Sequence, residues 1–209
     1  MKPRSHNQRG QAIVETGVLV PFLMLLLLGA FDVSIFASNK VQAVSAARHG
    51  VRIGSQLGGV PNNPAPPSAH TCDGTIAAPG NLLSVDRQIV AAVVAAASNM
   101  SFSSIQHIDV YRPTSVDGKY TVGDHANQYK PDGTAFTPAP PATTPPAFPL
   151  TERCQGPLGS SPTDVSIGVS VTWTYVPTNR LGLGGGPPIS FTLTDYSVEK
   201  MQQCVDNCV

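Results

Sequence analysis

Hydrophobic and polar positions divide this chain into unlike regions. Gly17 to Phe31 carries no charge, and Glu15 is the only ionisable side chain between Arg9 and Asp32. Crossing a bilayer takes about 20 apolar residues in a helix, so Val14 to Ala37 is read as a membrane-spanning helix. Pro21 lies inside it, removes one hydrogen bond and crowds the carbonyl of Gly17, which predicts easy local bending there. Beyond the span, Val41, Val44, Ala47 and Val51 recur at helical spacing, with Arg48 and Arg52 one turn apart. The helix is expected to continue to about Gly54 as a spine whose apolar stripe something must cover. Gly58-Gly59 and the prolines from Pro61 to Pro67 then end it.

A second helix is predicted over Leu82–Ala97, where Leu82, Val85, Ile89, Val93 and Ala97 share one face. Its length of about 16 residues suits a core helix rather than another span. Ile108 and Val110 alternate with polar neighbours, and Asp117-Gly118 offers a turn into Tyr120-Thr121-Val122, which together predict a short hairpin. Residues 131–149 are rich in proline, with Thr and Ala between, and predict an extended, exposed insertion: a mobile loop, a glycan-bearing stalk or a partner ligand. From Val165 to Tyr175 the alternation is strict. Val165, Ile167, Val169, Val171, Trp173 and Tyr175 take one face, and small polar residues take the other, which predicts a half-buried antiparallel strand. Ser190 to Tyr196 is expected to return as a strand with Phe191 and Leu193 inward.

The pattern predicts an α+β fold. A basic leader (1–10) precedes a transmembrane helix (11–37), a helical spine extension (38–56) and an extracytoplasmic α+β domain (57–209) built on an antiparallel sheet, with a Pro-rich loop at 131–149. Composition adds limits. Lys+Arg and Asp+Glu balance at 13 each and charged residues make up only 12% of 209 residues, so no basic field exists to attract nucleic acid. Gly at 19 and Pro at 20 make the chain loop-rich.

The four cysteines, Cys72, Cys154, Cys204 and Cys208, all follow the apolar segment. An even number on one side suits an oxidising exterior and makes them disulfide candidates, in any of three pairings. Their irregular spacing and the lack of nearby histidine argue against a zinc site. Positive charges are nearly equal before and after the span, but those before it lie closer. Together with the cysteines this orients the N-terminus to the cytoplasm.

The sequence carries no recognisable catalytic motif. The chain has no Gly-x-Ser-x-Gly elbow, no phosphate-binding glycine loop and no His-Glu-x-x-His. His6, His49, His70, His107 and His125 are scattered, and Asp109, Asp117 and Asp124 lack the spacing of a calcium loop. The expectation is a protein that is not an enzyme and carries no cofactor or metal.

Glu15 remains, and a carboxylate at the lip of a membrane segment usually has a partner. Arg9-Gly10-Gln11-Ala12-Ile13-Val14-Glu15, then Val20-Pro21-Phe22-Leu23 and a leucine run, then Val41-Gln42-Ala43-Val44-Ser45-Ala46-Ala47-Arg48-His49-Gly50-Val51-Arg52, resembles the TadE-like family. These are small pseudopilin-like components of tight-adherence (Tad, or Flp-type) pilus systems. The resemblance covers residues 8–56 strongly and the remainder only diffusely. Thr16 departs from the aromatic usual in the family, and Glu199-Lys200 is the nearest counterpart of its basic–acidic C-terminal finish. The resemblance implies a pilin-like fold and a leader removed by prepilin peptidase between Gly10 and Gln11. Glu15 would become the fifth residue and meet the free amine of a neighbouring subunit. Implied partners are the membrane, other pilin or pseudopilin subunits, the pilus assembly platform and the peptidase. The implied location is the bacterial cell membrane, crossed once.

A different class competes with this. The same segment could permanently anchor an extracytoplasmic binding or envelope domain that never enters a filament. A secretory signal cut near Val41-Gln42-Ala43 would place the cut unusually far past Phe31.

Overall fold

A computed structural model describes residues 8–57, 84–121, 123–136, 145–148, 153, 166–177 and 190–201. Helix α1 runs unbroken from Gln8 to Leu57, 50 residues with Pro21 inside it, about 75 Å at the usual rise. Helix α2 is Ser84–Ala96, with Asp86 in its first turn, where a carboxylate suits the helix dipole. Strands β1 (Ser103–Tyr111), β2 (Ala126–Tyr129), β3 (Ser166–Tyr175) and β4 (Phe191–Lys200) make one antiparallel sheet in the order β2-β1-β3-β4. The α+β architecture, a long N-terminal helix with an antiparallel sheet, is as the sequence predicts.

The expected hairpin partner is wrong. Asp117 and Gly118 do form a turn, with Gly118 at a φ of 73°, but Tyr120-Thr121 do not enter the sheet. The strand beside β1 is Ala126–Tyr129, paired Ile108 to Tyr129 and Tyr111 to Ala126. Residues between them instead lie over the outer face of the sheet: Tyr111 and Tyr120 meet edge to face at 5.4 Å. Tyr196 donates from its hydroxyl to the Asp117 carbonyl at 3.4 Å. That cover explains a second difference. β3 is buried on both faces rather than half-buried, from Ile167 through Trp173. Gly168 permits it, because a Cβ there would stand 2.4 Å from the Tyr111 ring.

On the inner face, α1 and α2 cover β1 and β3. Ile108, Val110, Ile167, Val169 and Val171 meet Val85, Ile89 and Val93 of α2 and Ala46, Ala47 and Val51 of α1. A register shift between Ile105 and His107 turns Ile105 toward the same core as Ile108, which an unbroken period of two could not do. The spine seam is also displaced from the expected stripe. Val41 is 69% exposed, while Asn39, Ala43, Ala46, Ala47, Gly50, Val51, Gly54 and Ser55 are buried. Small side chains select this face because the helices approach closely. A Cβ on Gly50 would stand 2.6 Å from Val93 Cγ2, and one on Gly54 2.8 Å from Ile167 Cδ1.

These contacts also give α1 a direction. Residue 54 lies against Ile167, residue 50 against Val169, and Phe36 against Trp173 and Tyr175. α1 and β3 are therefore antiparallel, and the end of β3 points down the helix toward its apolar half. β4 is longer than expected because its polar residues are used. Asp195 accepts from Trp173 Nε1 at 2.9 Å, and Glu199 accepts from the Ser55 hydroxyl at 2.9 Å. Leu193 packs against Trp173 and Tyr175 as expected, but Phe191 is 50% exposed.

The Pro-rich stretch is not wholly a surface insertion. Phe148 is fully buried in the main core, and Arg153 just beyond it is also fully buried. Arg153 donates to Asp86 from both terminal nitrogens and to the Phe148 carbonyl at 3.0 Å. Asn127 donates to Asp86 at 2.9 Å and to the Phe148 carbonyl at 2.9 Å, and accepts from the Phe148 N–H at 2.9 Å. Tyr129 donates its hydroxyl to Asp86 as well, and the burial of Tyr129 beside that carboxylate raises the pKa of its phenol. Cys72, Cys154, Cys204 and Cys208 lie outside the described residues.

Candidate membrane and assembly interface

The lower half of α1 is bare. Ile13, Val14, Val18, Leu19, Phe22, Leu23, Met24 and Leu27 are each 57–72% exposed, and the run continues through Phe31 at 58%. Nothing lies within 4 Å of a Cβ built at Gly17 or Gly29. In water such a surface would be costly, at roughly 25 cal/mol per Å² of apolar area. Its length and composition are those of a bilayer span, and one N-terminal apolar helix fits a single-pass membrane protein.

Glu15 sits on this segment with its side chain exposed to the surroundings of the helix. Sixteen residues without charge separate it from Asp32, about 24 Å of helix. Gly10 and Gln11 fall within the first turns of α1.

The zone where helix meets domain was not singled out by sequence pattern. Tyr175 donates from its hydroxyl to the Asp32 carbonyl at 3.3 Å, which pins the end of β3 to the end of the apolar run. Phe36 fills the angle, with its ring centroid 6.0 Å from Trp173 and 5.5 Å from Tyr175. One turn above, the buried amide of Asn39 donates to the Ser101 carbonyl at 2.6 Å and to the Ser103 hydroxyl at 2.8 Å. Its oxygen accepts the Ser101 N–H at 3.0 Å. An isolated Asn in a helix gives little warning that it clamps a turn 62 residues away.

Residues 10–52 match the family model described as TadE-like protein. The N-terminal segment is TadE-like. Neither a curated protein nor a solved structure matches the chain. The matched residues include both the bare half of α1 and most of the half that packs on the sheet. The match fits a component associated with Tad pili.

The register of β1 on β3 also assembles a trio that the spacing did not reveal. Ser170 donates to Asp109 Oδ2 at 2.6 Å, Gln128 donates to Asp109 Oδ1 at 2.9 Å, and His107 Nε2 lies 3.7 Å from Oδ2. Burial raises the pKa of Asp109, against the opposing pull of the His107 charge and the two hydrogen bonds. Serine, histidine and aspartate are present, but in the wrong order. A nucleophilic hydroxyl must face the base, and here it donates to the carboxylate. The His107 ring stacks on Phe136 at 4.5 Å. The trio is a buried polar brace on the outer face. Among the described residues no cluster of three His, Cys, Asp or Glu could hold a metal ion.

Proposed function

We propose that this chain is a minor pilin- or pseudopilin-like membrane component of a Tad-type pilus assembly or secretion system, with no catalytic role. What supports the reading is the division of α1. One continuous TadE-like helix offers a bare apolar half to lipid and neighbouring helices, and its other half is the spine of a folded domain. An enzyme needs a reacting centre, whereas a subunit of an assembly needs a helix that bundles and a domain that it carries. Helix bundling in lipid rests on close packing and on satisfying polar groups between helices. Cleavage after Gly10 would create an amine at Gln11, and Glu15 of a neighbour would neutralise it. In a low-dielectric setting that attraction rewards one axial register over its alternatives. The N-terminus faces the cytoplasm and the sheet domain lies outside.

The test is piliation of cells carrying Glu15→Ala at equal membrane abundance, together with the mature N-terminal residue. Pili should be lost or sharply reduced with insertion intact, since removing a carboxylate favours insertion by up to about 3 kcal/mol. Gln11 should be the first residue, and Gly10→Leu should abolish the cut. Normal piliation together with an intact Met1 would leave a permanently anchored envelope domain as the better reading.

A further inference from the structure

Among the described residues outside α1, the most exposed phenylalanine rings stand at the end of the domain that meets the apolar half of α1. β3 arrives there at Tyr175, while β1 and β4 start there, because both are antiparallel to β3. Two large rings stand at this end without burial: Phe102 is 56% exposed and Phe191 is 50% exposed. Phe191 is the sheet partner of Tyr175, whose hydroxyl bonds the Asp32 carbonyl. Phe102 follows Ser101, whose N–H and C=O are both taken by Asn39 of α1. The rim thus lies beside the stretch of α1 from Asp32 to Lys40, about 12 Å between the end of the apolar run and the first exposed lysine. That stretch is long enough to cross the headgroup zone on one side of a bilayer, which is about 5–8 Å thick.

Phe102 also has a backbone that a phenylalanine resists. Its φ is 54°, in the left-handed region, where a bulky side chain is a rare outlier. Two links hold it there: the Asn39 amide grips the residue before it, and its own carbonyl accepts the Val176 N–H at 2.9 Å. The ring does not repay that conformation by burial in the domain core. An outlier of this kind marks a position where the surroundings impose a geometry that local preference does not supply.

We propose that Phe102 and Phe191 are interfacial anchors. They seat the base of the domain in the headgroup–acyl boundary of the same bilayer that α1 crosses. The occupant is lipid, because the patch is continuous with a segment that the reading above places in lipid, and rests on that reading. Apolar side chains at this depth lie about 5–10 Å into the boundary region, and aromatic rings suit a zone that is wet on one side and apolar on the other. With α1 they make a three-point base, and the domain stands on the membrane instead of swaying above it.

The test uses full-length protein in phosphatidylcholine vesicles whose acyl chains carry bromine, a short-range quencher of tryptophan. Trp173 is the only tryptophan and is buried, so wild-type protein supplies the background. Phe102→Trp and Phe191→Trp add a reporter at the rim. Val116→Trp adds one at a fully exposed position beyond the opposite end of β1. The added signal of both rim reporters should be quenched about twofold or more relative to Val116→Trp, as expected for rings at boundary depth. Rim quenching equal to that of Val116→Trp, in protein that resists carbonate extraction, overturns the anchors and leaves the membrane span standing. Rim emission that ignores bromine but shifts with protein density in the vesicle assigns the patch to a neighbouring subunit and overturns lipid as its occupant. Protein that carbonate strips from the vesicles overturns the membrane reading, and the anchors with it.

Discussion

Arg153 grips Asp86 across 67 residues of sequence, with neither side chain exposed to solvent. The pair fastens the end of the Pro-rich stretch to the first turn of α2, and the guanidinium also lies 4.5 Å over the Phe148 ring. Truncating Arg153 to Ala strands a buried carboxylate that Asn127 and Tyr129 still approach but no cation balances. The expected loss is about 3–5 kcal/mol of domain stability, read from chemical denaturation in mild detergent. Arg153→Met combined with Asp86→Asn should cost clearly less than the sum of the two single changes. Additive losses would mean that the pair does not act as a unit.

Gly50 and Gly54 set how closely α1 lies on the domain. Gly50→Val should cost about 1–3 kcal/mol by overpacking, since even its Cβ meets Val93 Cγ2 at 2.6 Å. Gly29→Ala has open space around it and should leave the same unfolding transition unmoved. Thermal melts of the two variants in one detergent separate the packed half of α1 from the bare half. A Gly50→Val melt that matches wild type would contradict the close approach.

Asp109 gives a pH dependence of definite sign. Its folded pKa is raised above the ordinary 3.8 by burial, so the folded state favours the protonated form. That contribution is complete below the unfolded pKa and is lost as pH rises through the folded one. As pH rises above the ordinary carboxyl value of 3.8, wild type should therefore lose ground relative to Asp109→Asn, which stays neutral throughout. Paired denaturation curves at several pH values measure the gap. A gap that is constant, or that moves in favour of wild type as pH rises, would refute the assignment.

Phe102 should be dispensable for folding. Left-handed backbone costs a residue with a Cβ about 1–2 kcal/mol, and glycine carries no such cost. Phe102→Gly should leave domain stability unchanged or higher by up to about 1 kcal/mol once the greater chain freedom of glycine is allowed for. A loss beyond about 1 kcal/mol in the melt would show that the ring packs within the domain, as buried aromatic truncations do.

How much of this could be read beforehand depended on what each residue had to do. β3 was legible because Ile167, Val169, Val171, Trp173 and Tyr175 alternate over one continuous apolar face. α2 was legible because Val85, Ile89 and Val93 are large and regularly spaced. The α1 seam was not, because it is chosen by smallness: Ala43, Ala46, Gly50 and Gly54 look like filler beside Val41 and Val44. Ala126–Tyr129 carries no strand signature because its Asn127 spends its side chain on a polar clamp rather than on a face of the sheet. Phe148 and Arg153 were hidden among prolines, a composition that normally signals exposure. At the candidate site, Glu15 and the glycine before the span stand out in the sequence as candidates by residue type and spacing. The junction of Asp32, Asn39, Phe102 and Tyr175 does not, since its members come from three distant parts of the chain.

The unbroken course of α1 from Gln8 to Leu57 has a mechanical result. Residues 39–55 are locked to the sheet and the helix continues below them to Gln8 through Pro21 without leaving helical conformation, so the apolar segment and the domain turn together. Stepping the helix round by one residue against a neighbour, about 100°, would swing the whole sheet through the same angle. Whatever packs against Ile13–Phe31 therefore also decides which side of the domain faces outward.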